Sequence, residues 1–281
     1  MRILFVAARF HTNQVPFVKA LQEAGHEVLF DVLFRGGSED HSLLVPTVVR
    51  PSLLSRLRMR LRRPVNVAAY HADHSFPSFL PYLRRLRRLR PDVVVVRDPN
   101  RPFARRAALA ARLLGRRIVI YTQGEVHARS TRKKDLMREG LIRSLGATWF
   151  SPVRGEPSLP RVHERVNYLP FAADQDRPVK EVWFVDDRVR ILAIGKFVPR
   201  KNHLLLLEAF DVLRRDHAVD LTIVGELSHA DHHAHHALVM DEIALRELHD
   251  EVTVRTNVPF TDVHALYVQH DLFVLASRDE P

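Results

Sequence analysis

The chain has 281 residues, of which 46% are hydrophobic and 27% charged, and its formal net charge is +10. This length suits two domains of ordinary size, and the apolar fraction is enough for a packed core in each. The chain has no cysteine, which excludes disulfides and thiolate metal sites. No continuous apolar run is long enough for a membrane-spanning helix, and the first residues lack the cleavage site of a secretory signal. We therefore expect a cytoplasmic protein.

The first half of the chain alternates between apolar runs of strand length and helical patterns. Apolar runs at residues 2–8 and 26–34 flank a helix that Thr12 or Asn13 caps and Gly25 ends. Strand–helix–strand units of this length are typical of a parallel sheet. The pattern continues with strands at 91–97, 116–122, from 147, and at 166–174, and with a helix at 104–115.

A second alternation follows residues 173–188, which carry mixed charge and little periodicity and are interpreted as a linker. The fold class is therefore α/β, with two Rossmann-like domains at 1–172 and 189–281. The second domain ends on a strand that no helix covers, which predicts an incomplete, truncated domain. Its strands are predicted at 188–195, 219–225, 252–258 and 271–277, and its helices at 203–216, 237–250 and 260–270.

Two lysines stand near the end of the first strand of the second domain. Gly195 ends the strand, Lys196 follows it, and Lys201 comes just before the next helix. Ligands of open α/β sheets bind at the carboxyl ends of the strands, and cations beside free helix N–H groups suit a diphosphate. Two interpretations are open from these residues alone: a site for a polyanion, or a pair of solvated loop lysines.

The order of these features resembles the C-terminal half of the family 4 (group 1) glycosyltransferases of the GT-B fold. The resemblance covers about residues 190–281, and the earlier residues match only in architecture. It implies an enzyme that moves a sugar from a nucleotide diphosphate sugar of the UDP or GDP type to an acceptor hydroxyl. It also implies retained anomeric configuration and no metal or other cofactor. The residues that carry it are LAIGKFVPRKNHLLLLEAF, LTIVGE and VTVRTNVPFTDVHALYVQHDLFVLASRDEP.

The resemblance assigns the diphosphate to the strand ends of the second domain. Lys196 and Lys201 correspond to the cations that contact the diphosphate, and Gly195 and Gly225 end the strands beneath it. Lys196 stands where the family has arginine, so it supplies charge without a bidentate fork. Cations aimed at the leaving diphosphate would stabilise the transition state more than the ground state.

The resemblance places the remaining donor contacts near the end of the chain. Glu280 corresponds to the first of two family glutamates and is expected to contact the donor sugar, with Asp279 as a rival for this role. The second glutamate, which holds the ribose, would fall beyond Pro281. Asn257 and Val258 lie where the family contacts the base through backbone groups.

The turn after the first strand departs from the family pattern. It lacks the glycine pair that brings the backbone close to the donor phosphate. His11 and Asn13 are the candidate side-chain donors in its place.

A second departure follows the strand at 116–122, where the family has a His-Gly step near the reacting carbon. Here the chain has Gln123 and Gly124, with Glu125 and His127 close by. We predict that His127 takes this role; the alternative is a loop histidine without function.

Residues 228–236 are dense in histidine. His232 and His236 are four apart, a spacing that suits a metal on one helix face. The resemblance implies no metal, however, so we predict a solvated loop or helix start.

Two arginine-rich segments lie at residues 50–64 and 79–91, and Asp73 is the only acidic residue from Arg50 to Arg90. Leucines at helical spacing among the arginines predict amphipathic basic helices. Such a helix can dock on an anionic membrane, or it can be a surface helix with its leucines in the core. A nucleic-acid partner is not expected, because aromatic residues do not alternate with the basic ones.

Two functions remain open at this point. The first is a glycosyltransferase of cell-envelope polysaccharide or glycolipid synthesis, acting on a glycan or lipid-linked acceptor at the inner face of the membrane. The second is a non-catalytic basic α/β module that docks on anionic membrane or nucleic acid.

Overall fold

The structure is a computed structural model, which describes residues 1–36, 39, 41–64, 66–172, 179–228 and 230–278. The chain divides into two compact units, Met1–Asp174 and Gln175–Pro281. Each unit has its own parallel sheet and its own apolar core. Across the described ranges, every helix is too short or too polar to cross a bilayer.

Unit 1 contains a seven-stranded parallel sheet with the order β3-β2-β1-β4-β5-β6-β7. Its strands are β1 Arg2–Val6, β2 Glu27–Val32, β3 Thr47–Val48, β4 Val93–Arg97, β5 Arg117–Tyr121, β6 Thr148–Ser151 and β7 Val166–Tyr168. Its helices are α1 Val15–Glu23, α2 Leu53–Arg62, α3 Val67–His74, α4 Phe79–Leu89, α5 Pro102–Leu113 and α6 Arg132–Leu145.

Both faces of this sheet are buried. Alternate residues of β1 point to opposite faces, so that Leu4 and Val6 pack in the core that α4 and α5 cover, whereas Ile3 and Phe5 pack in the core that α1 covers. A strand buried on both faces has a continuous apolar sequence. This is why the apolar run at residues 2–8 identified the strand.

Unit 2 contains a four-stranded parallel sheet with the order β10-β9-β8-β11. Helices α7 and α8 cover one face, where Leu207 and Ile243 are buried, and α9 covers the other through Leu266. The predicted α/β fold with parallel sheets is confirmed. The strands are β8 Val189–Ile194, β9 Val219–Gly225, β10 Val252–Thr256 and β11 Leu272–Phe273, and the helices are α7 His203–Leu213, α8 Ala230–Leu245 and α9 Phe260–Gln269.

Residues 179–188, interpreted from the sequence as part of a linker, are tied to unit 2 by one buried carboxylate. Asp271 accepts hydrogen bonds from the backbone N–H of Phe184 at 2.9 Å and of Arg190 at 2.8 Å. The Lys180 ammonium lies 3.2 Å from the same carboxylate. Asp271 comes directly before β11, so it joins this segment to the starts of two strands.

Three elements differ from the sequence prediction. The edge strand β3 and the helix α3 were not predicted, because β3 has two residues and α3 buries none of its residues. Neither therefore has a hydrophobic pattern to detect. Helix α8 begins at Ala230 rather than at residue 237, because its first turns consist mostly of histidines, which an apolar periodicity does not register.

Candidate functional site

The carboxyl ends of β8, β9 and β10 lie side by side and are linked by backbone hydrogen bonds. Gly195 N–H donates to the Val224 carbonyl, and Asn257 N–H donates to the Gly225 carbonyl, both at 2.9 Å. The Asn257 side chain accepts from the Leu227 N–H at 2.8 Å and donates to its carbonyl at 3.3 Å. The predicted site residues Gly195, Gly225 and Asn257 therefore lie together at this edge of the sheet.

The two glycines allow other residues to lie close to the strand ends. A Cβ on Gly225 would be 2.3 Å from the Phe197 ring and 2.8 Å from the Gly195 carbonyl oxygen, so a side chain does not fit there. A Cβ on Gly195 would be 3.0 Å from Cδ of Lys201. The aliphatic part of Lys201 thus lies on the end of β8.

The two candidate lysines have different surroundings. Lys196 directly follows Gly195; its side chain is 48% exposed and its Nζ lies 3.6 Å from Oε2 of Glu226. Lys201 ends the 3-10 turn Pro199–Lys201 that leads into α7. An anion at Lys196 would compete with the Glu226 carboxylate, whereas the first N–H groups of α7 add positive potential near Lys201.

Two histidines, buried His203 and half-buried His236, contact Phe197 beside this turn. The ring centroids of His203 and His236 lie 5.2 Å and 4.8 Å from that of Phe197. His203 Nδ1 is 3.4 Å from His235 Nε2. Desolvation lowers the pKa of His203 to about 4, and the charges of His235 and Lys201 act in the same direction. His203 is therefore neutral at physiological pH.

The histidine-dense segment is a helix start, one of the two predicted alternatives, but it is only partly solvated. It forms the first turns of α8, where His232 and His235 are buried. His232 Nδ1 lies 3.3 Å from the Ser228 hydroxyl. The described residues contain no group of three or more acidic or histidine side chains suited to hold a metal ion.

Val258 and Glu280 are the remaining residues predicted to contact the nucleotide sugar. Val258 is half-buried and packs against Leu192, Val224 and Leu266, so its side chain belongs to the core of unit 2. Contact of Val258 with a ligand would then come from its backbone. Glu280 lies outside the described residues.

The turn after β1 holds the two candidate donors of unit 1. Asn13 lies in the 3-10 turn Thr12–Gln14. Its side-chain oxygen is buried and has no hydrogen-bond partner in the part of the chain that the structure describes. The backbone N–H of His11 donates to the Gln14 side chain at 3.2 Å, which fixes the start of this turn.

His127 lies in a loop that backbone contacts hold in place. Its N–H donates to the Arg154 carbonyl at 3.0 Å, and its Nδ1 donates to the Leu159 carbonyl at 3.1 Å. A Cβ on Gly155 would be 2.1 Å from the His127 carbonyl oxygen, so the two segments touch directly. Because Nδ1 carries the proton, Nε2 of the neutral ring is left as an acceptor.

Arg97, at the carboxyl end of β4, was not singled out from the sequence. Its side chain is 11% exposed, and its Nε is 3.6 Å from Asp98 Oδ2. Nε and Nη1 of Arg97 and the hydroxyl of Tyr121 are buried and lack hydrogen-bond partners among the described residues. Burial lowers the pKa of Arg97 from its usual value. An arginine closing a run of four valines was the signal in the sequence.

A comparison with protein families assigns the second unit. Residues 175–281 match the family described as glycosyl transferases group 1. The match confirms the resemblance inferred from the sequence. No curated protein sequence matches the chain significantly.

Solved structures resemble the chain over nearly its whole length. A glycosyltransferase from Rickettsia africae ESF-5 has 14% identity and a TM-score of 0.63, covering 98% of this chain and 73% of its own. Anabaena Alr3699/HepE in complex with UDP and glucose has 12% identity and a TM-score of 0.64, covering 99% and 74%. Sucrose-phosphate synthase from Thermosynechococcus elongatus has 12% identity and a TM-score of 0.62, covering 100% and 76%. These likenesses concern the fold.

Proposed function

We propose, from the match of the C-terminal unit to the group 1 glycosyltransferases, that the chain transfers a sugar from a nucleotide diphosphate sugar to an acceptor hydroxyl. The bond between the anomeric carbon and the diphosphate oxygen breaks, and a bond to the acceptor oxygen forms. The hydroxyl proton leaves with the diphosphate. The proposal rests chiefly on two lysines at the carboxyl end of β8. The side chain of Lys201 packs on Gly195, and Lys196 directly follows Gly195 in the sequence.

The lysines would act on the leaving group. Negative charge gathers on the diphosphate as the glycosidic bond breaks, so an ammonium group beside it stabilises the transition state more than the ground state. Lys201 stands in the turn before α7, whose unpaired N–H groups favour the same anion. Lys196 would exchange its contact with Glu226, at 3.6 Å, for the diphosphate.

The other donor contacts follow from the strand ends. Gly225 allows close approach to the end of β9, and the backbone of Asn257 and Val258 would contact the base. UDP is the first nucleotide to test, because a neighbour of the same fold was crystallised with UDP and glucose. Glu280 is proposed to contact the donor sugar.

On unit 1, we assign to His127 the contact near the reacting carbon, through the Nε2 that its bond to Leu159 leaves open. His11 and Asn13 would offer side-chain donors to the donor phosphate. Arg97 and Tyr121 supply unsatisfied polar atoms at the same edge of the sheet. An acceptor hydroxyl or phosphate there would give these atoms partners.

Retention of configuration and metal independence are further parts of the proposal. Proton NMR of the first product anomer, recorded before mutarotation, tests retention. Undiminished turnover in excess EDTA tests the second point, whereas loss of turnover restored by Mg²⁺ or Mn²⁺ would contradict it.

We also propose a role in cell-envelope polysaccharide or glycolipid synthesis, with unit 1 docked on an anionic membrane through α2. Leu53, Leu57 and Leu61 share one face of this helix and are 74%, 55% and 75% exposed. Arg58 and Arg60, which lie between Leu57 and Leu61, are also exposed, and each basic residue near an anionic surface contributes about 1 kcal/mol. Sedimentation with phosphatidylglycerol vesicles should capture the chain and release it in salt. Equal capture by phosphatidylcholine would argue against the charge contribution.

The donor site is tested by thermal unfolding in the presence of UDP or GDP. A ligand at 100 times its dissociation constant stabilises the native state by about 2.7 kcal/mol, and we expect a rise in Tm with one of the two nucleotides. Lys201→Met keeps the aliphatic stem on Gly195 and removes the charge, so its Tm should no longer respond.

Lys133→Met is the matched control, because Lys133 is an exposed lysine on α6 of unit 1. Its Tm response should equal that of the unmodified chain. The proposal fails if neither nucleotide raises Tm, or if the two lysine variants respond alike.

A further inference from the structure

A pocket in unit 1 is lined by arginines and, within the described chain, by no carboxylate. Its volume is about 360 Å³, and it lies between residues 47–51, the first turns of α2 and one side of α4. The arginines that line it are Arg50, Arg56, Arg85 and Arg88. We propose that this pocket binds a phosphate group, carried either by a lipid headgroup or by a free phosphate ester.

One of these arginines is already neutralised. Arg85 donates to the buried Asp31 through Nη2 at 2.7 Å and Nε at 3.0 Å, and the Tyr82 hydroxyl donates to the same carboxylate at 3.1 Å. This bond fixes Arg85 as one wall of the pocket. Because Asp31 is engaged by Arg85, it does not neutralise the other three arginines of the pocket.

The remaining guanidinium groups carry the excess charge. In the described part of the chain, Arg50, Arg56 and Arg88 form no ion pair with a carboxylate. Arg56 is half-buried, and its Nε is buried without a hydrogen-bond partner among the described residues. Guanidinium groups bind phosphate through paired N–H donors. A phosphate in the pocket would supply both the missing charge and the missing acceptors.

The wall that carries Arg56 is held in place before any ligand arrives. Ser55 is buried; its hydroxyl donates to the Phe76 carbonyl and accepts from the Phe76 N–H, both at 3.2 Å. The Ser52 N–H donates to the same carbonyl at 2.8 Å, and the Ser52 hydroxyl accepts from the Ser55 N–H. A site ordered in this way loses little conformational entropy on binding.

A neighbouring depression offers the matched control. It is more open, and it is lined by Arg2, Arg84, Arg87, Arg88 and Arg90. Arg84 is exposed on α4, as Arg88 is, but it does not line the proposed pocket. Arg84→Gln therefore removes the same charge from the same helix while leaving the pocket intact.

The experiment titrates the full chain with inorganic phosphate and with glycerol 3-phosphate by calorimetry. We expect saturable binding with a Kd below about 1 mM. Arg56→Gln should weaken it by about tenfold or more, the effect of losing a hydrogen bond to a charged group. Arg50→Gln, at an exposed residue, repeats the test without disturbing α2, and Arg84→Gln should change the Kd by less than about twofold.

Vesicles of phosphatidylglycerol separate the two sources of phosphate. If Arg56→Gln weakens vesicle binding more than Arg84→Gln does, the ligand is a lipid headgroup; if the two variants bind vesicles equally while only the glycerol 3-phosphate affinity falls, it is a free ester. Absence of saturable binding, or equal loss in the two variants with every ligand, overturns the proposal. Loss of the Tm response to UDP or GDP in Lys201→Met, which leaves this pocket unchanged, reports on unit 2 and is independent of these outcomes.

Discussion

Helices α2 and α4 are both rich in leucine and arginine, yet they occupy opposite environments. In α4, Tyr82 and Leu86 are buried in the core of unit 1, and Leu83 and Leu89 pack against it. In α2, Ser55 is the buried residue, and the leucines face outward. Two segments with nearly the same composition therefore differ in whether their leucines stabilise the fold.

The difference arises from what each helix lies against. Helix α4 crosses the sheet face where β1 and β4 present apolar side chains, and Arg85 bonds to Asp31 at the end of β2. Helix α2 follows the two-residue edge strand β3 and is anchored at its first turn through Ser52 and Ser55. Among the described residues, the α2 leucines lie outside the core of unit 1 and are exposed.

The largest expected effect comes from the polar anchor of α4. Arg85→Met leaves the Asp31 carboxylate, 1% exposed, without its cation. Breaking a buried ion pair on one side costs about 3–5 kcal/mol, so we expect urea unfolding to report a loss of this size. Arg84→Met, at an exposed site on the same helix, should stay within about 0.5 kcal/mol. Equal losses would show that the bond to Asp31 does not hold α4.

A paired leucine truncation compares the two helices directly. Leu86→Ala removes a fully buried side chain and should lower the free energy of unfolding by about 3 kcal/mol. Leu57→Ala, on a side chain that is 55% exposed, should lower it by less than about 0.5 kcal/mol. A large loss at Leu57 would mean that α2 is covered in solution.

The histidines of unit 2 also differ in their environments: His203 is buried, whereas His249 is exposed. The pKa of buried His203 is lowered from 6.5 to about 4, so the unfolded chain binds more protons between these values. The stability that neutral His203 contributes is complete above pH 6.5 and is lost as pH falls toward 4. The free energy of unfolding should decrease by roughly 2 kcal/mol from this group by pH 5.

His203→Asn should flatten the pH dependence of unfolding over this window. His249→Asn, at an exposed histidine, is the control and should leave the slope unchanged. Denaturant midpoints measured at several pH values give both slopes. An identical slope in the two variants would contradict the assigned protonation of His203.

The smallest expected effect concerns the exposed face of α2. Leu61→Gln should weaken binding to phosphatidylglycerol vesicles by about tenfold, because the leucine side chain no longer enters the apolar layer. Leu113→Gln on α5 is matched in exposure, at 62% against 75% for Leu61, and should have no effect. Vesicle sedimentation measures both, and equal binding by the two variants would remove α2 from the membrane contact.

The sequence determined most of the succession of strands and helices, with β3 and α3 as the exceptions. Apolar runs such as residues 2–8 and 91–97 have the length and the continuous apolar sequence of buried parallel strands. This local signal does not depend on the rest of the chain. The position of Gly195, Lys196 and Lys201 at a strand end could be inferred in the same way. The hydrogen bond from Asn257 to the Gly225 carbonyl was not predicted from the sequence.

Tertiary structure alone decided which charged and polar residues are buried. Arg97 lies under the carboxyl edge of the sheet, and His232 and His235 lie inside unit 2, because surfaces contributed by distant parts of the chain cover them. The pocket of Arg56 and Arg88 likewise joins two segments that are separate in sequence. Burial and pairing depend on neighbours in space, which the spacing of residues along one segment does not encode.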